Sequence, residues 1–231
     1  MATNLTPAQL AAYIDHTLLK PDASREQIEK LCAEAREHQF HSVCVNGCWV
    51  EAARTFLEGS EVKVAAVVGF PLGANRSSTK AIEAASCVKD GANEVDMVIS
   101  LPALISGDFD YARADVAEVV RAARAVWQDT IVKVILETAA LTEEQTALGC
   151  RAAREGGADF VKTSTGFHPK GGATPTTVAW LKKYAGGLKV KAAGGIRDFA
   201  SALAMIEAGA DRLGCSSGVA IVTSQTASAA Y

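Results

Sequence analysis

One short phrase occurs three times along the 231-residue chain, each time where a helix-forming stretch gives way to an apolar run. The copies are D-G-A-N-E at residues 90–94, G-G-A-D-F at 156–160 and A-G-A-D-R at 208–212. A helix commonly ends at a glycine that adopts positive φ, after which the chain can turn directly into a strand. The recurrence of this helix-to-strand joint indicates a fold built from repeated strand–helix units.

Eight short apolar runs are rich in β-forming residues and are predicted to be strands. They cover residues 13–16, 42–45, 62–69, 94–99, 131–137, 159–162, 188–193 and 211–215. Stretches of helical periodicity lie between them, with start signals at Ser24, at Thr142 followed by Gln145, and at Asp198. Alternating strands and helices predict a parallel sheet.

A parallel sheet of eight strands can close into a barrel or remain open and doubly wound. The open fold usually carries a nucleotide-binding fingerprint, and the stretch from Gly69 has neither the G-x-G-x-x-G spacing nor a P-loop ending. The length, with 49% hydrophobic residues, suits one large core. We therefore predict an α/β fold: a single (β/α)8 TIM barrel over residues 1–231, with a short N-terminal helix and a mobile tail over about residues 222–231.

Composition narrows the classes of function. Charged residues make up 21% of the chain and the formal net charge is -3, so no global field exists to gather nucleic acid or anionic lipid. No apolar run reaches roughly 18 residues, and the N-terminus lacks the layout of a secretory signal. Six cysteines without a C-x-x-C pair indicate reduced thiols. These features predict a cytoplasmic protein that holds any anionic ligand in a local site.

Three charged residues interrupt apolar runs near the predicted strand ends, where barrel enzymes carry their catalytic groups. They are Asp96 in E-V-D-M-V-I, Lys162 in F-V-K-T-S-T-G and Lys191 in K-V-K-A-A-G-G. One such lysine alone could equally be a snorkelling or salt-bridged residue. Two lysines on adjacent strands repel each other, and this repulsion lowers the pKa of one of them.

A lysine amine that is partly neutral near pH 7 can attack an aldehyde and form an iminium, which stabilises the carbanion of a retro-aldol cleavage. Asp96 could then accept or relay protons, alone or through Lys191. Because side chains alternate along a strand, Lys133 is also a candidate to point inward. This chemistry alone does not identify which of Lys133, Lys162 and Lys191 is the nucleophile.

Glycine and serine residues follow the last two predicted strands, where barrels often build a phosphate site from backbone N–H groups and hydroxyls. Gly194 and Gly195 follow the seventh strand, and Ser216 and Ser217 follow the eighth. The alternative is a pair of tight turns with a serine helix cap. Their joint position after these two strands favours a phosphate site.

His41, Cys44 and Cys48 form an H-x-x-C-x-x-x-C string. Too few further ligands accompany it for a metal centre, and buried cysteines on strands are usually core thiols. We therefore predict no metal site.

The chain also resembles the deoxyribose-phosphate aldolase family through phrases that extend along most of its length. In order, they are I-D-H-T-L-L-K-P (14–21), S-V-C-V-N (42–46), V-V-G-F-P-L-G-A (67–74), E-V-D-M-V-I (94–99), K-V-I-L-E-T (133–138), A-D-F-V-K-T-S-T-G-F (158–167), V-K-A-A-G-G-I-R (190–197) and G-C-S-S-G (214–218). Each phrase alone is modest evidence, but the ordered set is highly specific.

The resemblance implies a class I aldolase without a cofactor, which reversibly cleaves 2-deoxy-D-ribose 5-phosphate to acetaldehyde and D-glyceraldehyde 3-phosphate. By family pattern, Lys162 forms the Schiff base, Lys191 depresses its pKa, and Asp96 donates and accepts protons with Lys191. The expected partners of the substrate hydroxyls are Asp15 and Thr165. The expected phosphate contacts are Gly166, Gly194, Gly195, Ser216 and Ser217.

The resemblance extends to the end of the chain, since some family members place a C-terminal tyrosine over the active site to assist proton transfer. Tyr231 is the candidate here. A homodimer is a further family-level expectation. The chain departs from the family after the fourth strand, where Ser100 and Pro102 occupy a stretch that commonly has an asparagine.

Two alternatives stay open beside this activity. The first is another phosphosugar class I aldolase or a transaldolase-like enzyme, which would turn over a ketose phosphate and release no acetaldehyde from deoxyribose 5-phosphate. The second is a non-catalytic phosphosugar-binding barrel, which the presence of Lys162, Lys191 and Asp96 disfavours.

Overall fold

The computed structural model describes residues 5–223. Its eight strands are parallel and form a closed barrel in which each strand pairs with the next along the chain and the eighth pairs with the first. They are β1 (Ile14–Leu18), β2 (Ser42–Val45), β3 (Lys63–Val68), β4 (Glu94–Val98), β5 (Ile131–Ile135), β6 (Phe160–Lys162), β7 (Lys189–Ala193) and β8 (Arg212–Cys215). The predicted TIM barrel is confirmed.

Helices alternate with the strands, and two of them lie between β4 and β5. They are α1 (Pro7–Ala11), α2 (Arg25–Glu37), α3 (Val50–Phe56), α4 (Ser77–Lys89), α5 (Leu101–Ser106), α6 (Phe109–Val126), α7 (Glu143–Glu155), α8 (Pro175–Tyr184), α9 (Phe199–Glu207) and α10 (Gly218–Thr223). The predicted short N-terminal helix is α1, and the caps at Ser24, Thr142 and Asp198 are present. Within residues 5–223, every helix is too short or too polar to cross a membrane.

All eight predicted strands are present, with ends that differ from the prediction by at most two residues. The fifth strand shows why. It ends at Ile135 instead of Glu137, because Glu137 has a φ of 59°, a left-handed conformation that an extended strand does not contain.

The repeated phrase forms the same helix end three times. Gly91, Gly157 and Gly209 follow the last helical turns with φ values of 111°, 87° and 110°. In each case the next residue, an alanine, donates its N–H to the carbonyl five residues earlier. This is the Schellman arrangement, in which a left-handed glycine lets the last helical carbonyls find donors.

The polar residue of each phrase then joins the helix end to the preceding strand. Asn93, Asp159 and Asp211 each donate a backbone N–H to a carbonyl of that strand and accept the same residue's N–H with a side-chain oxygen. For Asp159 the partner is Val132, whose N–H lies 2.8 Å from the carboxylate. The phrase therefore ends a helix and sets the pairing of the next strand.

Two regions of different character fill the molecule. Aliphatic side chains of the strands and helices form one large hydrophobic core. Barrel interiors are usually filled by branched aliphatic side chains as well. Here many of the inward positions instead carry buried charged side chains: Asp15, Glu94, Asp96, Lys133, Lys162, Lys191 and Arg212. Such burial is costly unless the charges are paired, so this cluster is the place to look for function.

Candidate active site

Asp96 is the centre of a group of three buried lysine side chains. Its Oδ1 lies 2.7 Å from Nζ of Lys133, and its Oδ2 lies 2.7 Å from Nζ of both Lys162 and Lys191. Strand register brings them together, because Asp96 pairs with Lys133 across β4 and β5, and Lys162 pairs with Lys191 across β6 and β7. The structure thus assembles the three catalytic candidates around one carboxylate.

These contacts determine the charge state of Asp96. Burial alone would raise the pKa of its carboxyl group, but Lys133, Lys162 and Lys191 outweigh burial and hold that pKa well below its usual range. Asp96 is therefore an ionised carboxylate although its own side chain is fully buried.

The three lysines differ in the direction in which their pKa is shifted. Burial lowers the pKa of Lys162; Asp96 opposes this effect and Lys191 adds to it. For Lys133 and Lys191, the surrounding carboxylates outweigh burial and raise the pKa. Lys162 is thus the amine of this group that loses its proton most readily. Repulsion from Lys191 contributes as expected from the sequence, but burial has the larger effect.

Lys162 also differs from the other two lysines in access. It lines an open pocket, whereas Lys133 and Lys191 do not line it and have no exposed surface. A ligand in the pocket can therefore reach the amine of Lys162 first. Among the three lysines that strand chemistry left open, access from the pocket favours Lys162.

The loops that follow β6, β7 and β8 form the walls of the same pocket. The five predicted phosphate contacts all line it: Gly166, Gly194, Gly195, Ser216 and Ser217. Arg197, which the sequence analysis did not single out, lines it too. Backbone amides, hydroxyls and a guanidinium are the groups that bind a phosphate in proteins.

Gly194 shows how closely these loops approach one another. Its φ is 89°, and a Cβ at this position would lie 3.0 Å from Cα of Gly172 and 3.2 Å from Cα of Gly166. Only a glycine fits this backbone contact. The contact fixes the loop after β7 against the loop after β6, next to Lys162.

Asp15 has a different environment from the one expected of a substrate-hydroxyl partner. Its side chain is fully buried and does not line the pocket. One of its oxygens binds Lys191, and Oδ1 lies 2.9 Å from Nη1 of Arg212. Burial would raise the pKa of Asp15, but these cations keep it far below its usual range. In this arrangement Asp15 holds Lys191, and a direct contact with a substrate hydroxyl stays a prediction that the geometry does not favour.

Thr165 lines the pocket as expected and is held by Glu137, a residue of the fifth predicted strand for which the sequence predicted no role. The Thr165 hydroxyl donates to Oε2 of Glu137 at 2.5 Å, and the Thr165 N–H lies 3.3 Å from both carboxylate oxygens. The N–H of Phe167 in turn donates to the Thr165 hydroxyl at 3.0 Å. The available signal was that Glu137 lies on the same face of the predicted strand as Lys133.

Further buried charged side chains contact the group around Asp96. Glu94 forms an ion pair with Lys133 at 2.5 Å and lies 3.3 Å from Arg212 and 3.2 Å from His41. Burial would raise the pKa of Glu94, but Lys133 and the other partners lower it to about 2. Neither Glu94 nor Arg212 is among the site residues predicted from the sequence. Alternation along the strands was the missed signal, because Glu94 lies two residues before Asp96 and Arg212 pairs with Lys191 in the register.

The residues of the H-x-x-C-x-x-x-C string do not act together in the structure. His41 contacts Glu94, Cys44 is fully buried beside Asp96 and Lys191, and Cys48 is exposed. Across residues 5–223, no three or more His, Cys, Asp or Glu residues are grouped in a way that could hold a metal ion.

The predictions for the C-terminal tail fall largely beyond the described part of the chain. Val222 and Thr223 end α10. Tyr231 and the rest of the tail, residues 224–231, lie outside the described residues.

Known proteins are similar to this chain in sequence and in fold. Residues 9–224 match the family described as DeoC/LacD family aldolase. A deoxyribose-phosphate aldolase of Brevibacillus brevis is 55% identical over 212 residues, which cover 91% of this chain and 94% of the relative. The enzyme of the same name from Caldanaerobacter subterraneus subsp. tengcongensis is 53% identical over 214 residues and 92% of each chain.

A solved structure agrees with these relatives. The deoxyribose phosphate aldolase from Aeropyrum pernix, described as a tetramer, is 35% identical and superimposes with a TM-score of 0.88 over 95% of this chain and 92% of its own. The sequence match spans the whole barrel, including the strands that carry Asp96, Lys162 and Lys191. The chain therefore belongs to the DeoC/LacD family of aldolases.

Proposed function

We propose that this protein is a deoxyribose-phosphate aldolase, which reversibly cleaves 2-deoxy-D-ribose 5-phosphate to acetaldehyde and D-glyceraldehyde 3-phosphate through a Schiff base on Lys162. The observation that carries this proposal is the environment of one amine. Burial lowers the pKa of Lys162, its Nζ is 2.7 Å from Asp96, and it lines the pocket. A desolvated amine beside a proton acceptor is a nucleophile for aldehydes. The names of the relatives support the substrate.

The chemistry proceeds through covalent intermediates on Lys162. Its neutral amine attacks C1 of the open-chain sugar, and loss of water gives an iminium. A base removes the proton of the C3 hydroxyl, the C2–C3 bond breaks, and D-glyceraldehyde 3-phosphate leaves as the electron pair moves into an enamine. Protonation at C2 and hydrolysis of the iminium release acetaldehyde and restore the amine.

Asp96 and Lys191 are suited to the proton transfers of these steps. Asp96 is ionised and touches Nζ of Lys162 and of Lys191, so it can take a proton at one stage and return it at another. Lys191 stays charged because Asp15 and Asp96 raise its pKa despite burial. A permanent charge on Lys191 also disfavours a second charge on Lys162.

The phosphate of the substrate is proposed to bind at the far end of the pocket. Its contacts would be the backbone N–H groups of Gly166, Gly194 and Gly195 and the hydroxyls of Ser216 and Ser217. Thr165, held by Glu137, would contact a hydroxyl between the phosphate and the reacting carbonyl. This assignment uses hydrogen-bond donors that already line the pocket.

Reduction with borohydride in the presence of acetaldehyde, followed by peptide mass mapping, tests the proposal. We expect an ethyl adduct on Lys162 in the wild-type protein. Lys162→Met should lose both the adduct and turnover. Lys80→Met is a matched control, because Lys80 is equally buried but pairs with Asp115 outside the barrel interior. A Lys162→Met variant that still cleaved the substrate would overturn the proposal.

Product analysis separates this activity from its alternatives. Acetaldehyde released from deoxyribose 5-phosphate supports the proposed cleavage. Turnover confined to a ketose phosphate would indicate a transaldolase-like enzyme, and binding without turnover would indicate a phosphosugar-binding barrel.

We also propose that the protein works in the cytoplasm, in the catabolism of deoxyribonucleotides, as a homodimer. Its six cysteines are free thiols, in keeping with a reducing compartment. Light scattering would test the oligomeric state.

A further inference from the structure

The charged side chains inside the barrel form one connected set, which we call the interior cluster. Its carboxylates are Asp15, Glu94 and Asp96, and its basic groups are Lys133, Lys162, Lys191 and Arg212. Every member is linked to another by an ion contact of 3.3 Å or less. Each has at most 7% of its surface exposed, so bulk water does little to screen these charges.

The interior cluster contains one more basic group than it has carboxylates. Unbalanced charge in a buried site is costly, and a titratable group relieves this cost by losing its proton. The carboxylates outweigh burial and raise the pKa of Lys133, Lys191 and Arg212, whereas the pKa of Lys162 is lowered. Loss of a proton from Lys162 leaves three carboxylates and three cations.

We propose that Lys133 is a positioning residue that keeps Lys162 neutral: it binds Oδ1 of Asp96 and so leaves Lys162 as the surplus cation of the interior cluster. The inference rests on the proposed function, because a Schiff base needs a neutral Lys162. Lys133 acts from beneath the reacting amine. Its Nζ bridges Asp96 at 2.7 Å and Glu94 at 2.5 Å, and it does not line the pocket.

Charged and titratable groups face Lys162 from the surrounding strands. The charged ones are Asp15 from β1, Glu94 and Asp96 from β4, Lys133 from β5, Lys191 from β7 and Arg212 from β8. From β2 comes Cys44, whose thiol stays neutral because burial raises its pKa. Ala65 and Val67 of β3 carry no charge. Glu137 binds Thr165, and His41 contacts Glu94 at 3.2 Å.

The pH dependence of adduct formation with acetaldehyde and cyanoborohydride tests this inference without relying on aldolase turnover. Lys133→Met replaces the side chain with an uncharged one that is a single atom shorter. The charges of the interior cluster are then balanced when Lys162 is protonated. We expect the midpoint of the profile to rise by about one pH unit, so that trapping on Lys162 at neutral pH slows about tenfold. Glu94→Gln alone should move the midpoint in the opposite direction.

A double variant that compensates the change in charge provides a further test. Lys133→Met combined with Glu94→Gln removes one charge of each sign, so the midpoint should return to its wild-type position. Lys80→Met removes a lysine of equal burial from the ion pair with Asp115 at 2.6 Å. It should lower the temperature of unfolding and leave the midpoint unchanged.

The outcomes are distinguishable. The role of Lys133 would be overturned if the midpoint were unchanged in Lys133→Met or did not return to its wild-type position in the double variant. In either case an adduct on Lys162 would still support the Schiff base. Absence of any adduct on wild-type Lys162 would overturn the proposed function itself. If Lys133→Met does not fold, the midpoint of the Glu94→Gln profile tests the inference instead. A lower midpoint would support the inference, and a higher or unchanged midpoint would contradict it.

Discussion

Lys162 and Lys191 share a single carboxylate oxygen, Oδ2 of Asp96, at 2.7 Å from each Nζ. The two amines are nevertheless not equivalent. Lys191 has a second carboxylate partner in Asp15, whereas Lys162 faces the pocket instead. A proton placed between the two nitrogens is therefore held by Lys191.

Asp96→Asn should separate amine chemistry from proton transfer. Turnover is expected to fall by about 100-fold or more, because general acid–base catalysis is lost. Trapping of acetaldehyde on Lys162 should continue, since a neutral neighbour does not raise the pKa of the amine. Comparing the rate of cleavage with the rate of adduct formation checks this expectation. A parallel loss of both would show that Asp96 is needed to form the Schiff base.

Ser216→Ala with Ser217→Ala should weaken binding of the phosphorylated sugar specifically. We expect KM for deoxyribose 5-phosphate to rise about tenfold or more, as two hydrogen bonds to a charged group are removed. Unphosphorylated deoxyribose serves as the matched substrate, and its kcat/KM should stay as in the wild type. An equal loss for both sugars would argue against phosphate binding by these hydroxyls.

Acid should destabilise the fold through the interior cluster. The pKa values of Asp15, Glu94 and Asp96 are all lowered in the folded state. Their contribution to stability is thus fully present above the unfolded values and is lost as the pH falls. For Glu94 the window runs from 4.5 down to about 2.

Denaturant unfolding at a series of pH values measures this loss. Glu94→Gln provides the control, because it removes one of the protons taken up on unfolding. Its free energy of unfolding should fall less steeply with acid than that of the wild type. An identical slope would mean that Glu94 does not contribute to the acid sensitivity.

Asp159→Ala tests the repeated helix-to-strand joint. The change leaves the N–H of Val132 without its acceptor and removes the ion pair with Arg124 at 2.8 Å. We expect the free energy of unfolding to fall by about 1–3 kcal/mol. Asp159→Asn should cost much less, because Asn93 makes the same contact in the equivalent joint. Neither change should shift the pH profile of turnover, and a shift would connect the joint to the active site.

Deletion of Tyr231 tests the proposed contribution of the C-terminus. If its phenol assists proton transfer, exchange of the methyl protons of acetaldehyde with deuterated water should slow, while adduct formation on Lys162 continues. Tyr231→Phe should reproduce the effect of the deletion, since it removes only the hydroxyl. An unchanged exchange rate in both variants would remove Tyr231 from the mechanism.

The sequence by itself determined the barrel and most of its pocket, because these depend on local signals. Apolar runs of strand length, capping residues such as Ser24 and the repeated glycine joint act within a few residues of chain. The loops that carry Gly194 and Ser217 directly follow two of these strands. The family resemblance supplied the roles of Asp96, Lys162 and Lys191.

Only the tertiary structure decided how the charges are shared inside the barrel. Asp15 binds Lys191 across 176 positions of sequence, and Glu137, which follows β5, holds Thr165, which follows β6, so no local pattern shows either contact. The pKa of a buried lysine depends on its depth and on carboxylates from several strands. That is why the sequence proposed repulsion from Lys191, whereas the fold adds burial and the pairing of Lys133 with Asp96.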